Sequence, residues 1–206
     1  MPGHLPTTTT ILLESLRDAR NGNAWTEFDR RYRPVLTGFA RSLGLNDSDA
    51  ADAAQWALAQ FAQDYAAGRY VRGKGRLSSW IMGIARHRIE RVRNAGGPVR
   101  GAKGKDARGE SVLGAMPDEA GLTQLWDRQR EAVIIGRAME ALRTTEGVDP
   151  AKLKAFELVA LHDVPVEEAA RQCGMTPADV YVAKSRLSRK LRELVETIGR
   201  AYAEDA

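Results

Sequence analysis

Apolar residues recur at three- and four-residue steps along most of the chain, which is the spacing of an amphipathic α-helix. The clearest case begins near Ala24, where one apolar face continues through Trp25, Phe28, Tyr32, Val35, Leu36, Phe39 and Leu43. Strand-like alternation is rare, and no Asn-Gly or Asp-Gly pair stands between two apolar runs. The pattern therefore predicts an all-α protein.

Breaks between the periodic segments predict where the helices begin and end. Thr10 can cap a short helix that runs to about Ala19, and the breaker Asn21-Gly22-Asn23 follows it. The next helix begins at Ala24, ends at Gly44 and contains Pro34, where a helix can kink. Further helices are expected over residues 46–65, 77–93, 117–142 and 150–161, with two more after a turn at 162–165. In the helix over 77–93, the side chains expected to face inward are Leu77, Trp80, Ile81, Ile84 and Val92.

Composition changes sharply between residues 95 and 115, which hold six glycines and almost no apolar side chains. Such a stretch cannot offset its ordering entropy by burying apolar surface. We therefore expect an N-terminal domain over residues 10–94, a flexible glycine-rich linker over 95–117 and a C-terminal domain over 118–200.

The most specific local pattern lies between residues 166 and 180. Ala170 is small enough for a second helix to cross closely, and Gly174 supplies the positive φ of a tight helix end. Met175 would fill the corner between the two helices, while Thr176 and Pro177 form an N-cap with proline in the first helical position. The pattern predicts a helix-turn-helix.

The second helix of this pattern separates into two faces. Asp179 completes a capping-box-like start, and an apolar stripe follows, formed by Val180, Ala183, Leu187, Leu191, Leu194 and Ile198. The opposite face is polar or cationic, and with the cap Thr176 it holds Tyr181, Lys184, Ser185, Ser188, Arg189 and Arg192. A helix that reads a major groove needs such a division, so these residues are predicted to bind DNA. An ordinary solvated charged face is the alternative.

A basic loop punctuated by glycine runs from Gly68 to Gly75. Together with Arg76 it offers four cations and one aromatic ring, on Arg69, Tyr70, Arg72, Lys74 and Arg76. Cations that hold a backbone and a ring that stacks on a base are what single-strand capture and a flipped-base pocket require. Arg86 and Arg93 are expected on the outer face of the following helix, with His87 at its margin. A basic loop without a partner is the alternative.

Charge and cysteine content agree with a DNA partner in a reducing compartment. The formal charge is +4 with a pI near 9.4, and the single cysteine, Cys173, cannot form an internal disulfide. The N-terminus lacks a secretory pattern, and no apolar run approaches the roughly 20 residues of a membrane span, so a cytoplasmic protein without membrane insertion is expected. His4, His87, His162 and Cys173 lack zinc-ligand spacing, and no phosphate loop or catalytic triad is recognisable. We expect no cofactor, no metal and no catalysis.

Two long segments resemble bacterial sigma factors of the extracytoplasmic-function (ECF) type. Residues 154–187 resemble the C-terminal promoter-reading domain, which implies a four-helix domain whose last helix enters the upstream (−35) element. Residues 28–34 are similar to the family's first conserved segment, and residues 49–55 resemble its acidic helix. In family members, that helix clasps a coiled coil in the largest subunit of RNA polymerase core. The resemblance therefore implies that this protein contacts the coiled coil and also the flap of core polymerase. Residues 80–87, led by Trp80, resemble the helix that melts and reads the downstream (−10) element, and an anti-sigma factor is a further partner that the resemblance suggests.

The polymerase-facing helix departs from the family pattern. Trp56 stands where an acidic residue usually follows Gln55, which leaves Asp49 and Asp52, with Asp47, as the acidic contacts. Trp56 is interpreted either as an apolar anchor on the polymerase or as a core residue that fills space beside small alanines. Trp25 and Trp126 are expected mainly to pack between helices, whereas the resemblance places Trp80 near DNA melting.

The resemblance implies a sigma factor that directs RNA polymerase core to promoters and aids promoter melting. Its core-binding residues would be Asp49, Asp52, Gln55 and Trp56, and its downstream-element residues Tyr70, Arg72, Lys74, Arg76, Trp80, Arg86, His87 and Arg93. One alternative is a sigma-like DNA-binding regulator without productive core binding, suggested by Trp56. Another is a helical interaction module whose basic surfaces meet an acidic protein.

Overall fold

The structure, a computed structural model, describes residues 9–18, 20–71, 74–95 and 116–203. Within these ranges the chain forms eight helices and no strands, which confirms the all-α prediction. The helices are α1 (Thr9–Ser15), α2 (Gly22–Ser42), α3 (Asp47–Ala66), α4 (Leu77–Ala95), α5 (Glu119–Arg143), α6 (Pro150–Leu161), α7 (Val166–Cys173) and α8 (Pro177–Arg200). Most of the predicted linker lies outside the described residues.

The described residues fall into two compact units. The first unit runs from Thr9 to Val133 and the second from Ile134 to Tyr202, so the division falls inside α5. The first half of α5 belongs to the first unit, because Trp126 packs edge-on against Phe39 with ring centroids 5.7 Å apart. Gln129 also donates a hydrogen bond to Ser42 across 3.0 Å. The boundary between the two compact units therefore lies at Val133 and Ile134, and not at residue 118, where we expect the C-terminal domain to begin. The functional division at residue 118 stays a prediction.

The core of the first unit lies between α2, α3 and α4. Phe28 of α2 stacks on Phe61 of α3, with centroids 4.7 Å apart and planes at 13°. Four alanines of α3 are buried, which lets the neighbouring helices approach it closely; they are Ala50, Ala53, Ala54 and Ala57. Leu77, Ile81 and Ile89 of α4 complete this core.

The core of the second unit surrounds the start of α8. Ala155 of α6, Ala169 and Ala170 of α7, and Val180 of α8 form one buried cluster. A second cluster joins the last turns of α5 to α6 and α8 through Met139, Leu142, Phe156 and Leu187. Small residues at the crossing of α7 and α8 allow close packing, as the sequence predicts for Ala170.

Two helix bounds near the N-terminus differ from the prediction. α1 includes Thr9 and ends at Ser15, not near Ala19, because Asp18 turns back and accepts a hydrogen bond from the Arg20 amide. The next helix begins at Gly22, two residues before the predicted start at Ala24. The Asn21 side chain accepts a hydrogen bond from the Ala24 amide, so Asn21 is the N-cap of a helix that already includes Gly22.

The inward face of α4 also differs from the prediction. Leu77 and Ile81 are buried as expected, but Ala85 and Ile89 continue the buried row at four-residue steps. Ile84, Val92 and Trp80 are only half-buried. The α3 side chains contact one narrow stripe of α4. A large apolar side chain outside this stripe therefore stays partly exposed, whereas the small Ala85 within it is buried.

One cation lies inside the first unit. Arg31 of α2 is fully buried and pairs with Glu27 one turn earlier, with a nitrogen-to-oxygen distance of 3.1 Å. Burial raises the pKa of the Glu27 carboxyl, but hydrogen bonds and charges from Arg30 and Arg31 outweigh this effect. The Glu27 pKa therefore lies below its ordinary value, and Glu27 stays ionised to balance the buried guanidinium.

Candidate nucleic-acid interfaces

The turn between α7 and α8 is formed by three residues in the predicted roles. Gly174 has a φ of 63° and a ψ of 34°, the left-handed conformation that ends a helix tightly. The amide of Met175 donates to the Ala170 carbonyl across 2.9 Å, and the Met175 side chain packs half-buried on the cluster between the helices. Together these interactions turn the chain sharply from α7 into α8.

The start of α8 is capped by Thr176. Its hydroxyl oxygen accepts a hydrogen bond from the Asp179 amide across 3.2 Å and donates to the Asp179 carboxylate across 2.6 Å. Hydrogen bonds from the side chain and backbone of Thr176, with attraction from Lys152, lower the pKa of the Asp179 carboxyl. An ionised carboxylate in the first turn also interacts favourably with the helix dipole.

Thr176→Ala is expected to cost about 1 kcal/mol of stability, because the N-cap hydrogen bond is lost. It should also move the Asp179 pKa up toward its ordinary value, which carboxyl chemical shifts followed against pH would measure. Because the folded pKa of Asp179 is depressed, its stabilising contribution is present above the unfolded pKa and is lost as the pH falls through the folded pKa. Thr176→Ser keeps the hydroxyl and is the control. An unchanged Asp179 pKa in Thr176→Ala would contradict this account.

The faces of α8 follow the predicted division. Val180, Ala183 and Leu187 are buried, and Leu191, Leu194 and Ile198 are half-buried along the same side. The predicted DNA-facing side chains are exposed, namely Tyr181, Lys184, Ser185, Arg189 and Arg192, while Ser188 is half-buried. The Arg192 guanidinium donates weakly to the Ser188 carbonyl across 3.4 Å. Val182 and Arg186 are also exposed here, although sequence reasoning did not select them.

The basic loop of the first unit encloses a small cavity. The cavity has a volume of about 240 Å³ and is lined by Arg69, Tyr70, Val71, Lys74, Gly75, Arg76, Ser79 and Trp80. Tyr70 and Trp80 meet edge to face, with centroids 5.9 Å apart and planes at 68°. The Tyr70 hydroxyl donates to the Gly75 carbonyl across 3.3 Å, which links two residues that line the cavity. Arg72 lies outside the described residues.

Aromatic packing and one buried acid connect this cavity to the core. Phe61 lies 6.4 Å from Tyr70 between ring centroids and stacks on Phe28 inside the unit. Asp64, which is 8% exposed, pairs with Arg69 across 2.8 Å. Sequence reasoning missed Asp64, which lies in the last turn of α3, five residues before Arg69, the first cation of the loop. These contacts hold the loop against the end of α3.

The predicted cations of α4 differ in their surroundings. Arg86 is half-buried and pairs with Glu90 across 2.8 Å, whereas His87 is exposed. Arg93 is half-buried, and its guanidinium lies 3.6 Å from the Met116 sulfur. The structure brings Tyr70, Lys74, Arg76 and Trp80 together around the cavity and distributes Arg86, His87 and Arg93 along α4.

The acidic residues on the outer side of α3 differ in whether they bond to neighbouring side chains. Asp49 is half-buried and caps α3 together with Asn46, whose side-chain amide donates to its carboxylate across 2.8 Å. Asp47 pairs with Arg41 across 2.7 Å. Asp52 and Gln55 are exposed, and Asp52 has no ion pair to another described residue.

Trp56 lies at the edge of this outer side. It is half-buried, with the Arg88 guanidinium 5.8 Å from its ring centroid. It therefore neither fills the core nor projects freely. Gln55 borders a groove of about 430 Å³ on the α2 side, which Trp25, half-buried, also lines. Trp126 is buried, as expected for a packing residue.

Neither a metal site nor a membrane span is present in the described part of the chain. No three of its His, Cys, Asp and Glu side chains are grouped so that they could hold a metal ion. None of its helices is long and apolar enough to cross a bilayer.

A family model matches the chain within the first unit. Residues 28–96 match the model of the family described as sigma-70 region 2. Among curated proteins, no sequence matches the chain. The matched segment begins in α2 and includes α3, the basic loop with its cavity, and α4. The matched segment, about a third of the chain, is similar to sigma-70 region 2.

Proposed function

We propose that the protein is a sigma factor of the ECF type, which directs bacterial RNA polymerase core to promoters and helps to open them. The observation that carries the proposal is the cavity beside Tyr70 and Trp80, which lies inside the segment similar to sigma-70 region 2. Cations and aromatic rings surround the cavity, as capture of an unstacked base requires. Its volume of about 240 Å³ leaves room for a base.

The two ends of the chain would read two promoter elements. Residues 10–94 would bind core polymerase and the downstream element, and residues 118–200 would bind the upstream element through the helix-turn-helix of α7 and α8. The glycine-rich segment 95–117 would serve as a linker that lets both elements be bound at once. Such bivalency supplies an overall affinity that neither domain needs alone.

Core polymerase would dock on the outer side of α3. Asp52 and Gln55 are exposed there, and Trp56 offers a half-buried ring supported by Arg88. A tryptophan of this kind is a favoured interface anchor, because a large apolar surface becomes desolvated on binding. Asp49 would contribute less than the sequence suggests, since its carboxylate is already bonded to Asn46.

Run-off transcription tests the proposal directly. Core polymerase is mixed with the purified chain and a pool of genomic templates, and we expect transcripts with discrete start sites that are absent without the chain. Core alone and core with Trp56→Ala are run in parallel. If no discrete start site appears on any template, the sigma proposal is wrong.

Tyr70→Ala sharpens this test, because it separates opening from recognition. The variant should reduce initiation on duplex templates by roughly 5- to 100-fold, the worth of one aromatic stacking contact. A template already unpaired around the downstream element should restore part of the loss, since the cost of opening is then removed. Tyr70→Phe keeps the ring and is the matched control.

A DNA-binding regulator without productive core binding is the second candidate. The observation that favours it is the reduced acidic surface of α3, where Asp47 and Asp49 are engaged within the chain and Trp56 lies under Arg88. Co-purification with core polymerase separates the two candidates. A sigma factor comigrates with core, whereas such a regulator binds DNA and elutes alone.

A further inference from the structure

Large apolar side chains are seldom exposed in the described parts of the chain, and two of them are adjacent on α8. The exposed set is Ile11, Val71, Ile135, Leu161, Tyr181 and Val182. Val182 is 48% exposed and lies in the second turn of α8. The neighbouring Val180 and Ala183 are buried, so the helix turns Val182 away from the core.

Val182 is an apolar side chain on a polar face. Ser185 and Arg186 follow it by three and four residues and Arg189 by seven, so all three lie on its side of the helix, and all are exposed. Helix stability does not account for a valine at this position. A β-branched side chain loses rotamer freedom in a helix, and Ala, Lys or Arg would favour the helix more.

DNA offers one apolar group to such a side chain. The major groove displays hydrogen-bonding atoms from all four bases, and the C5 methyl of thymine is its apolar feature. The first turns of a recognition helix approach the base edges most closely, and Val182 lies there, with the exposed cations Arg186 and Arg189 one and two turns later. A methyl-to-methyl contact removes apolar surface from water on both partners.

We propose that Val182 packs against the C5 methyl of one thymine in the upstream element and thereby selects thymine at that position. This inference rests on the proposed function, because it requires that α8 enter the major groove. Tyr181 and Val182 together form the apolar part of the reading surface, while Lys184 and Arg189 hold the backbone.

Replacement of thymine by deoxyuridine tests the contact, because it removes only the methyl. An upstream element is first selected from random duplexes with the full-length chain bound to core polymerase. Each thymine of the selected duplex is then replaced singly by deoxyuridine. At one position the affinity of the natural chain should fall about fourfold, the worth of one buried methyl group. The affinity of the Val182→Ala variant should change little when the same thymine is replaced by deoxyuridine.

The controls keep folding separate from recognition. Val182→Ala favours the helix, so the variant is expected to fold. Ile135→Ala removes a comparably exposed apolar side chain from α5 and should preserve the fourfold preference for thymine. If no duplex is selected, the proposed function itself is contradicted. If a duplex is selected but no thymine position depends on Val182, the inference is overturned and the proposed function stands.

Discussion

Replacing Phe61 with alanine is expected to lower the free energy of unfolding of the first unit by about 3–5 kcal/mol. Phe61 is fully buried and stacks on Phe28 at 4.7 Å, so the truncation removes a large apolar side chain and leaves a cavity. The neighbouring residues on α3, Ala57 and Leu58, are part of the same packed helix and cannot fill the space without moving the backbone. Urea titration followed by circular dichroism would measure the loss.

Two controls make this prediction specific. Ile135→Ala removes an exposed apolar side chain from the second unit and should change stability by less than about 0.5 kcal/mol. Phe61→Leu keeps most of the volume and should retain most of the stability, but it removes the ring that lies 6.4 Å from Tyr70. If the cavity depends on this ring, Phe61→Leu should reduce promoter opening while the protein stays folded. A loss below about 1 kcal/mol in Phe61→Ala would contradict the packing described for this unit.

Replacing Lys184, Arg189 and Arg192 together with alanine is expected to weaken DNA binding by at least about 100-fold at moderate salt. All three side chains are exposed on the outer face of α8 and have no acidic partner among the described residues. Each phosphate contact that is lost should flatten the dependence of log affinity on log salt by about 0.9. The slope should therefore decrease by roughly 2.7 for the triple variant.

Salt titrations of duplex binding would check this expectation. Arg143→Ala is the matched control, because Arg143 is an exposed cation of the second unit that pairs with Glu157 across 2.8 Å and lies outside α8. Its removal should leave the slope nearly unchanged. If the triple variant keeps the natural slope and affinity, α8 does not bind DNA. An acidic protein would then be the better partner for this face.

The ends of most helices could be predicted from short sequence patterns. Asn46, Asp149 and Thr176 each accept a hydrogen bond from an amide two or three residues later, and Gly174 ends α7 in the left-handed conformation. These interactions involve neighbours along the chain, so they form wherever the segment is helical. The same locality explains why the two faces of α8 were predictable, since a helix of known period repeats its faces without reference to the rest of the fold.

The candidate DNA-binding face was predictable for the same reason. For the cavity, only the residue types that line it were predictable. The sequence shows cations, a tyrosine and glycines in the basic loop. Only the fold brings Trp80 of α4 to 5.9 Å from Tyr70, which follows α3. These residues belong to different elements, and their distance depends on how α3 and α4 pack.

By itself, the sequence determined the all-α class, the helix pair α7 and α8 with its capped turn, and the cationic face of α8, because caps and periodicity act over a few residues. Tertiary structure decided which apolar residues of α4 are buried. It placed Trp126 against Phe39, left Trp56 half-buried under Arg88, and divided the single helix α5 between two units. The physical reason is that burial depends on which surfaces meet, and partners distant in sequence make that choice.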